Sequence, residues 1–520
     1  MKILGIHSLT HDSGVCLYED GQIRYALEEE RLSKIKHHPG IEVEGKPPAL
    51  SLDWILKESN LKIGDIDKFV HVGWEGDNFM KLDIIRSRYR EFARSLDPSG
   101  DKTSFVSHHK AHAASAYYAS GFEDALVLAI DGAGDWTATS LYLGEDRNLT
   151  KIDEYPLDQS LGFMYSRAAK LLRLGDFGFS EGKMTALAAY GKQIENFPQI
   201  IRFENGRYSL SKEYYETFKK YERTFGELTQ EQKDFAYVVQ TFLEDTVINV
   251  LSAAHNKYGK TRVALGGGVA LNCKMNGKIS ALPWVEDMFI QPGANDCGLC
   301  LGAAYLGAIE TNDPITQMKT PYLGQNLNRK EVAEYITRNG LRGEKLANPE
   351  LTAAELISQG NSVAWMQGRS EFGPRALGHR SLLGDPRSID IKDKLNVIKQ
   401  REYWRPVAPA IIDSDKQYCD IVKATEFMTK AIPMNDLAVK EIPGALHVDR
   451  TARVQVVRDI NDTFYKVIKN FENITGVPAV LNTSLNSRGE PICTTIDDGV
   501  KFFFTTPTDY LIIENWLIKK

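Results

Sequence analysis

HHKAHAASAYYASGFEDALVLAIDG, residues 108–132, carries two signals side by side. His108 and His112 are four apart, so a helix places them on one face, where they can grip one metal ion. The run Ala125–Ile130 is apolar throughout and reads as a buried strand that delivers Asp131 to a glycine turn at Gly132. Two imidazoles and a carboxylate suit a borderline metal such as iron, zinc or manganese. The alternative is a polar helix start with solvated histidines. Residues 109 and 110 are His and Lys, so the metalloprotease pattern His-Glu-x-x-His, with its glutamate base, is absent.

The same grammar extends outward. Residues 2–6, 14–18 and 22–27 read as short strands, with Glu19-Asp20-Gly21 as a hairpin turn and the polar turn His11-Asp12-Ser13-Gly14 between the first two. A helix is expected over 108–120. The strand Val263–Leu265 leads into a second glycine turn, Gly266-Gly-Gly-Val-Ala-Leu-Asn272. From Gln232 to about Tyr258, Phe235, Val239, Phe242, Val247, Val250 and Ala254 recur at helical spacing and read as core. Glycine turns after strands, with interleaved helices, indicate an α/β architecture. A chain of 520 residues is too long for one core. The stretch Asp313–Arg329 is richer in Pro, Gly and polar residues, which places a domain boundary within 315–350.

Composition narrows the class. Hydrophobic content of 42% and charged content of 25% are those of a globular protein. A net charge of -6 argues against general nucleic-acid binding. The six cysteines are scattered except for Cys297-x-x-Cys300, which points to reduced thiols and a cytoplasmic setting. That pair lies in a run of small residues, so packing is favoured over redox or metal chemistry. The start, Met1–His7, turns polar too soon for a signal peptide, and no apolar run approaches the ~20 residues of a membrane span.

Three turns of the first domain can approach phosphates through glycine N–H groups: His11-Asp12-Ser13-Gly14, Asp131-Gly132, and Gly266-Gly267-Gly268 with Asn272 just beyond. None matches a Walker or Rossmann fingerprint. Singly each reads as a structural turn; together they fit a two-lobed nucleotide cleft. Asn295-Asp296 offers a second carboxylate to the metal. The later half differs. Residues 369–405 hold nine Lys or Arg against five Asp or Glu, interleaved with Gly, Pro and Trp. Clustered Arg favours a compact polyanion. RNA would also satisfy it, but the aromatic stripe of a single-strand binder is missing. After the apolar run Val477–Leu481, the stretch Asn482-Thr-Ser484-Leu-Asn-Ser-Arg488 presents polar groups at a strand end, where ligands of α/β sheets sit.

These motifs resemble the O-carbamoyltransferase family of nodulation-factor, cephem and aminoglycoside carbamoyltransferases. The matching stretches run from Ile6 to His37, then HHKAHAASAYY, VLAIDGAGDW, GKMTALAAYG, LGGGVALNCKMNG, QPGANDCGLCLGAA, GRSEFGPRALGHRSLLGDPR, REYWRPVAPAI, HVDRTARVQ and LNTSLNSRGEPI, in family order over nearly the whole chain. The resemblance implies a two-lobed actin-like domain over 1–345 and a YrdC-like α/β domain over 346–520. It implies that the second forms carbamoyl adenylate from carbamoyl phosphate and ATP, with magnesium accompanying the nucleotide. The first then passes the carbamoyl group to an acceptor hydroxyl of a sugar, secondary metabolite or glycan. It implies a divalent metal, iron by family habit, at His108, His112, Asp131 and Asp296, with His11 as acid/base and Lys36 near it in role. Small-molecule partners follow, with no nucleic acid and no membrane.

On this reading Arg375, Arg380, Lys399, Arg405 and Arg453 neutralise triphosphate and carbamoyl phosphate, one or two of them being structural only, and Asn482, Ser484 and Arg488 complete the pocket. Cys297 and Cys300 stand where small residues are usual, and His379 where Asn is usual. The rivals are a tRNA threonylcarbamoyl-type transferase, an actin-like sugar kinase, and a non-catalytic metal or nucleotide sensor. The kinase reading leaves the Arg-rich half unexplained, and the sensor reading requires lost site residues, of which none is found.

Overall fold

The computed structural model describes residues 1–73 and 83–520. They form two compact units: Met1–Ser33 with His37–Lys319, and Lys34–Lys36 with Thr320–Lys520. The division between Lys319 and Thr320 falls inside the 315–350 stretch. Residues 320–345, assigned by sequence to the first domain, pack with the second unit, whose core includes Val332 and Ile336.

The first unit repeats one topology twice. Strands β1 (Lys2–His7), β2 (Gly14–Glu19), β3 (Gln22–Glu28), β4 (Lys68–Val72) and β5 (Thr103–Val106) form a sheet in the order β3-β2-β1-β4-β5. Strands β6 (Asp124–Gly134), β7 (Thr137–Glu145) and β8 (Asn148–Pro156) follow. A separate hairpin, β9 (Ile201–Glu204) and β10 (Arg207–Leu210), precedes β11 (Arg262–Gly266) and β12 (Asp287–Ile290). The second sheet runs β12-β11-β6-β7-β8. In each sheet the first strand pairs antiparallel with the second and parallel with the fourth. The duplication that residue identity does not show is thus plain in the strand order, and this is the two-lobed actin-like architecture. The first hairpin closes through Asp20 and Gly21, both at positive φ, as a two-residue turn requires.

Each sheet is followed by a helix, His108–Ser120 after β5 and Leu299–Glu310 after β12. The first is rich in Ala and the second in Ala and Gly, so their backbones approach closely. A Cβ on Gly302 would collide with the Ala111 carbonyl. The run of small residues around Cys297 and Cys300 is explained by this packing. Both thiols are buried, and burial pushes both pKa values up. The long helix spans Gln230–Tyr258 and starts at a Thr229/Gln232 capping box. It buries Phe235, Val239, Val247, Val250 and Ala254, with Phe242 only partly covered.

The second unit holds β13 (Gly343–Lys345), β14 (Val363–Met366), β15 (Arg380–Gly384), β16 (Ala408–Ile411), β17 (Ile432–Pro433), β18 (Thr451–Ala452), β19 (Gln455–Val456), β20 (Ala479–Ser484), β21 (Tyr510–Ile513) and β22 (Trp516–Ile518). Eight of them form a mixed sheet, β13-β22-β21-β14-β15-β20-β16-β19. Strand β20 is central and ends at Ser484, which sets the following polar loop beside Lys399 at the end of the helix Ile389–Ile398.

Gly302→Ala tests the helix contact. In an open helix this change stabilises by about 1 kcal/mol. Here we expect urea denaturation to show a loss of about 1–3 kcal/mol, because the methyl overpacks against Ala111.

Candidate active site

Four ligand atoms converge in the first unit. His108 and His112 come from the first helical turns after β5, Asp131 from β6, and Asp296 from the short helical turn Asp296–Gly298 after β12. One atom of each lies within 4.8 Å of all the others. The His108 and His112 Nε2 atoms are 3.0 Å apart. Asp131 Oδ2 is 3.2 Å from the first and 3.4 Å from the second. Asp296 Oδ1 is 3.5 and 3.4 Å from them. Such separations are those of ligand atoms about 2.0 Å from one shared cation.

The electrostatics agree with that geometry. Burial, and in Asp131 also the neighbouring Asp296, opposes ionisation, yet the imidazoles hold both carboxyls well below their ordinary values. In return, His108 is raised well above its ordinary value: burial opposes this, but Asp296 and Asp131 outweigh it. Two enclosed carboxylates therefore need positive charge. A divalent cation fits this need and the donor set, leaving the imidazoles neutral as ligands. The third histidine is accounted for differently. His109 bonds the Thr137 carbonyl at 3.0 Å, and burial lowers its pKa to about 3.

The glycine turns serve the same cluster. The Gly268 N–H donates to Asp131 Oδ1 at 3.1 Å. Gly267, at φ 94°, lies against the Ile130 carbonyl, and a Cβ on Gly266 would come within 2.5 Å of the His112 carbonyl oxygen. The Gly132 carbonyl accepts from Ser160 Oγ at 2.7 Å. The side chain of Asn272, expected to hold nucleotide, is instead committed to a helix cap at Met275 N and to a two-way pairing with Gln240.

His11 and Asp12 sit on the turn after β1, beside this cluster. His11 Nδ1 is 3.2 Å from Asp12 Oδ2 and 3.9 Å from Asp296 Oδ2. Burial pulls the His11 pKa down, but Asp296, and then Asp12 and Asp131, outweigh it and raise it to about 10. A cation on the four ligands would offset that field and bring the imidazole back toward neutrality. His7, unremarked in the sequence, bonds the His11 carbonyl at 3.0 Å, and burial lowers its pKa to about 4. Lys36 falls in the second unit, and its charge is felt at Lys399.

In the second unit the cationic residues divide. Lys399 Nζ is buried and donates to Ser484 Oγ at 3.1 Å, Asn486 Oδ1 at 2.6 Å, the Asn486 carbonyl at 3.0 Å and the Ser484 carbonyl. These acceptors are neutral. Burial, then Arg401 and Arg405, drive the Lys399 pKa well below its ordinary value. Arg405 is lowered by burial and by Arg453 and Arg488, against which Glu402 works. Arg488 is exposed, 3.8 Å from Glu402. Arg375 lies half-buried between β14 and β15. Arg380 is different. It is fully buried, and its guanidinium donates to the carbonyls of Thr494, Gln367, His379, Gln325 and Gly368. It stitches loops together and is not a phosphate ligand. Asn482 likewise ties β20 to the Ala376 carbonyl and to Gln455.

Sequence reasoning missed Arg401, which faces Lys399, Arg405 and Arg453. It stood first in the quoted run REYWRPVAPAI, two residues from Lys399. His379 also finds its place. It stacks on Tyr322 at 3.6 Å and bonds the Arg369 carbonyl, a structural role.

With this geometry in place, the comparisons assign the chain. The family model for the carbamoyltransferase N-terminus matches residues 2–98 and 93–305, and that for the carbamoyltransferase C-terminus matches 354–520. The chain belongs to the carbamoyltransferase family, and it is an enzyme, a transferase. Nodulation protein NolNO of Sinorhizobium fredii is 35% identical over 99% of this chain and 80% of its own length. Nodulation protein NolO of Bradyrhizobium diazoefficiens is 34% identical over 80% of this chain and 79% of its own. Among solved structures, HypF of T. kodakarensis is 15% identical, covering 61% of this chain and 48% of that one, with a TM-score of 0.42. Membership over both halves displaces the sugar-kinase reading. Among the described residues, no helix is long and apolar enough to cross a membrane.

Two predictions follow from these contacts. Elemental analysis of purified protein should find one divalent ion per chain, lost in His108→Ala/His112→Ala. Because binding must displace protons from the imidazoles, occupancy should fall on acidification. Full occupancy in the double variant contradicts the ligand assignment. Separately, Arg380→Ala should cost about 3–5 kcal/mol of stability by stranding buried carbonyls, whereas Arg405→Ala should change stability by less than about 1 kcal/mol.

Proposed function

We propose that the protein is an ATP-dependent O-carbamoyltransferase acting through carbamoyl adenylate. Carbamoyl phosphate, ATP and one water give the adenylate, with release of phosphate and pyrophosphate. The acceptor oxygen then attacks the carbamoyl carbon, AMP leaves, and the hydroxyl proton passes to a base. The observation that carries this reading is the cluster of cationic side chains in the second unit. Lys399, Arg401, Arg405 and Arg453 lie close enough there for the cations to lower one another's affinity for a proton, with Glu402 opposing at Arg401 and Arg405. A cluster so overcharged is matched to a polyanion, and phosphates would turn its repulsion into binding. Ser484 lies beside them, its hydroxyl accepting from Lys399 Nζ and donating to Asn486 Oδ1 at 2.7 Å.

Transfer is assigned to the first unit. His11 takes the acceptor proton, worth about 10²–10⁴-fold in rate. Its ring is half exposed, so an incoming hydroxyl can reach it. Iron is the metal favoured for His108, His112, Asp131 and Asp296, and when bound it would act as a Lewis acid on carbamoyl or phosphate oxygens. The acceptor is a hydroxyl of a sugar, secondary metabolite or glycan.

The half-reactions should separate by mutation. Lys399→Ala and Arg405→Ala should abolish pyrophosphate release that depends on carbamoyl phosphate. His11→Asn should retain that release within about 3-fold and lose transfer by about 100-fold or more. Equal loss of pyrophosphate release in His11→Asn contradicts the division.

A further inference from the structure

His11 does not stand alone on its turn. Asp12, almost fully buried, receives it on one oxygen and is itself gripped from two directions. On one side His37 Nδ1 lies 2.7 Å from Asp12 Oδ1. His37 is held in turn, its backbone N–H donating to Glu30 Oε2 at 2.7 Å and its ring stacked on Phe179 at 4.2 Å. On the other side Asn295 Nδ2 donates to Asp12 Oδ2 at 2.9 Å. The remaining amide atom, Asn295 Oδ1, accepts from Cys297 Sγ at 3.1 Å. The Asp12 carboxylate favours this amide orientation, since turned over Asn295 would present its oxygen to it, and the Cys297 thiol, which also reaches the Gly293 carbonyl at 3.7 Å, supports it by donating to Oδ1. Asp12 and His37 both lie at positive φ, 54° and 53°, a left-handed state that Asp and His adopt more readily than most side chains.

We propose that Asp12 is the positioning residue of His11, fixed by His37 on one flank and by Asn295 and Cys297 on the other. Asp12 Oδ2 accepts from Nδ1–H of His11. This selects the tautomer in which Nε2 carries the lone pair, and it aims that nitrogen away from the carboxylate. A buried carboxylate that sets the tautomer and direction of a histidine base is a general device of proton transfer. The inference rests on the reading of His11 as the group that takes the acceptor proton. It gives Cys297 a task other than packing or redox chemistry, as a donor that helps to keep Asn295 facing Asp12.

The test uses the full chain loaded with zinc and labelled with ¹⁵N at histidine, with His11→Asn identifying the His11 signals. In the wild type, His11 should show Nδ1 protonated and Nε2 bare. Asp12→Asn should reverse or abolish that preference, because an amide can offer its N–H₂ to Nδ1. It should lower the kcat of transfer by about 100-fold or more, leaving the acceptor KM and pyrophosphate release within about 3-fold. His37→Ala and Cys297→Ala should weaken the same tautomer and lower kcat by smaller factors, while metal content stays at one per chain. Cys297→Ser keeps the donor and should restore both signals and kcat. Unchanged His11 signals in Asp12→Asn, or a Cys297→Ser variant no better than Cys297→Ala, would overturn the proposal. If His11→Asn keeps full transfer while the network signals behave as expected, the acid/base reading falls and the positioning network stands.

Discussion

Two carboxylates enclosed side by side are the constraint around which the first unit is arranged. Asp296 is buried and Asp131 largely covered, and their charges repel each other. An uncompensated buried charge is among the most costly features a fold can carry. The structure answers with two imidazoles on one helical face, with the Gly268 N–H on Asp131, and with Thr10 on Asp296 at 3.2 Å. Much of the glycine and alanine content nearby follows from this demand, because only small residues let the two terminal helices and the β6 and β11 strand ends meet so closely.

Duplication of the sheet explains why the ligands come from distant stretches of chain. The helix after the first sheet gives His108 and His112, the second sheet's leading strand gives Asp131, and the segment after β12 gives Asp296. The turn after β1, which carries His11 and Asp12, is the counterpart in the first sheet of the β6 end that carries Asp131. One repeated topology thus supplies the cation ligands and a histidine beside them. The second unit gathers charge of the opposite sign in Lys399, Arg401, Arg405 and Arg453. The proposed two-step reaction would use these opposite charge imbalances, one for each step.

Local patterns made much of this legible. The His108/His112 spacing, the apolar run into Asp131 and the turn at Asp20-Gly21 are short-range signals, and helix and strand formation obey them. The long helix was legible because its apolar period is sustained and its Thr229/Gln232 cap is local. What escaped was fixed by tertiary contact. Arg380 and Arg405 look alike in sequence, yet one is saturated by five backbone carbonyls and the other belongs to the cationic cluster. Asn272 looked available to a ligand until its pairing with Gln240 was seen, 32 residues away. His7 and His37 gave no pattern of their own, because their meaning depends on which neighbours the fold brings to them.

The central claim is that the buried carboxylate pair requires a cation. The most direct measurement is the thermal unfolding of chelator-stripped protein titrated with a divalent ion, set beside Asp131→Asn/Asp296→Asn. The account predicts that the wild type gains several degrees, saturating at one equivalent, while the double variant, already relieved of the charge, does not respond. An unchanged midpoint in the wild type, or an equal gain in both proteins, would contradict it.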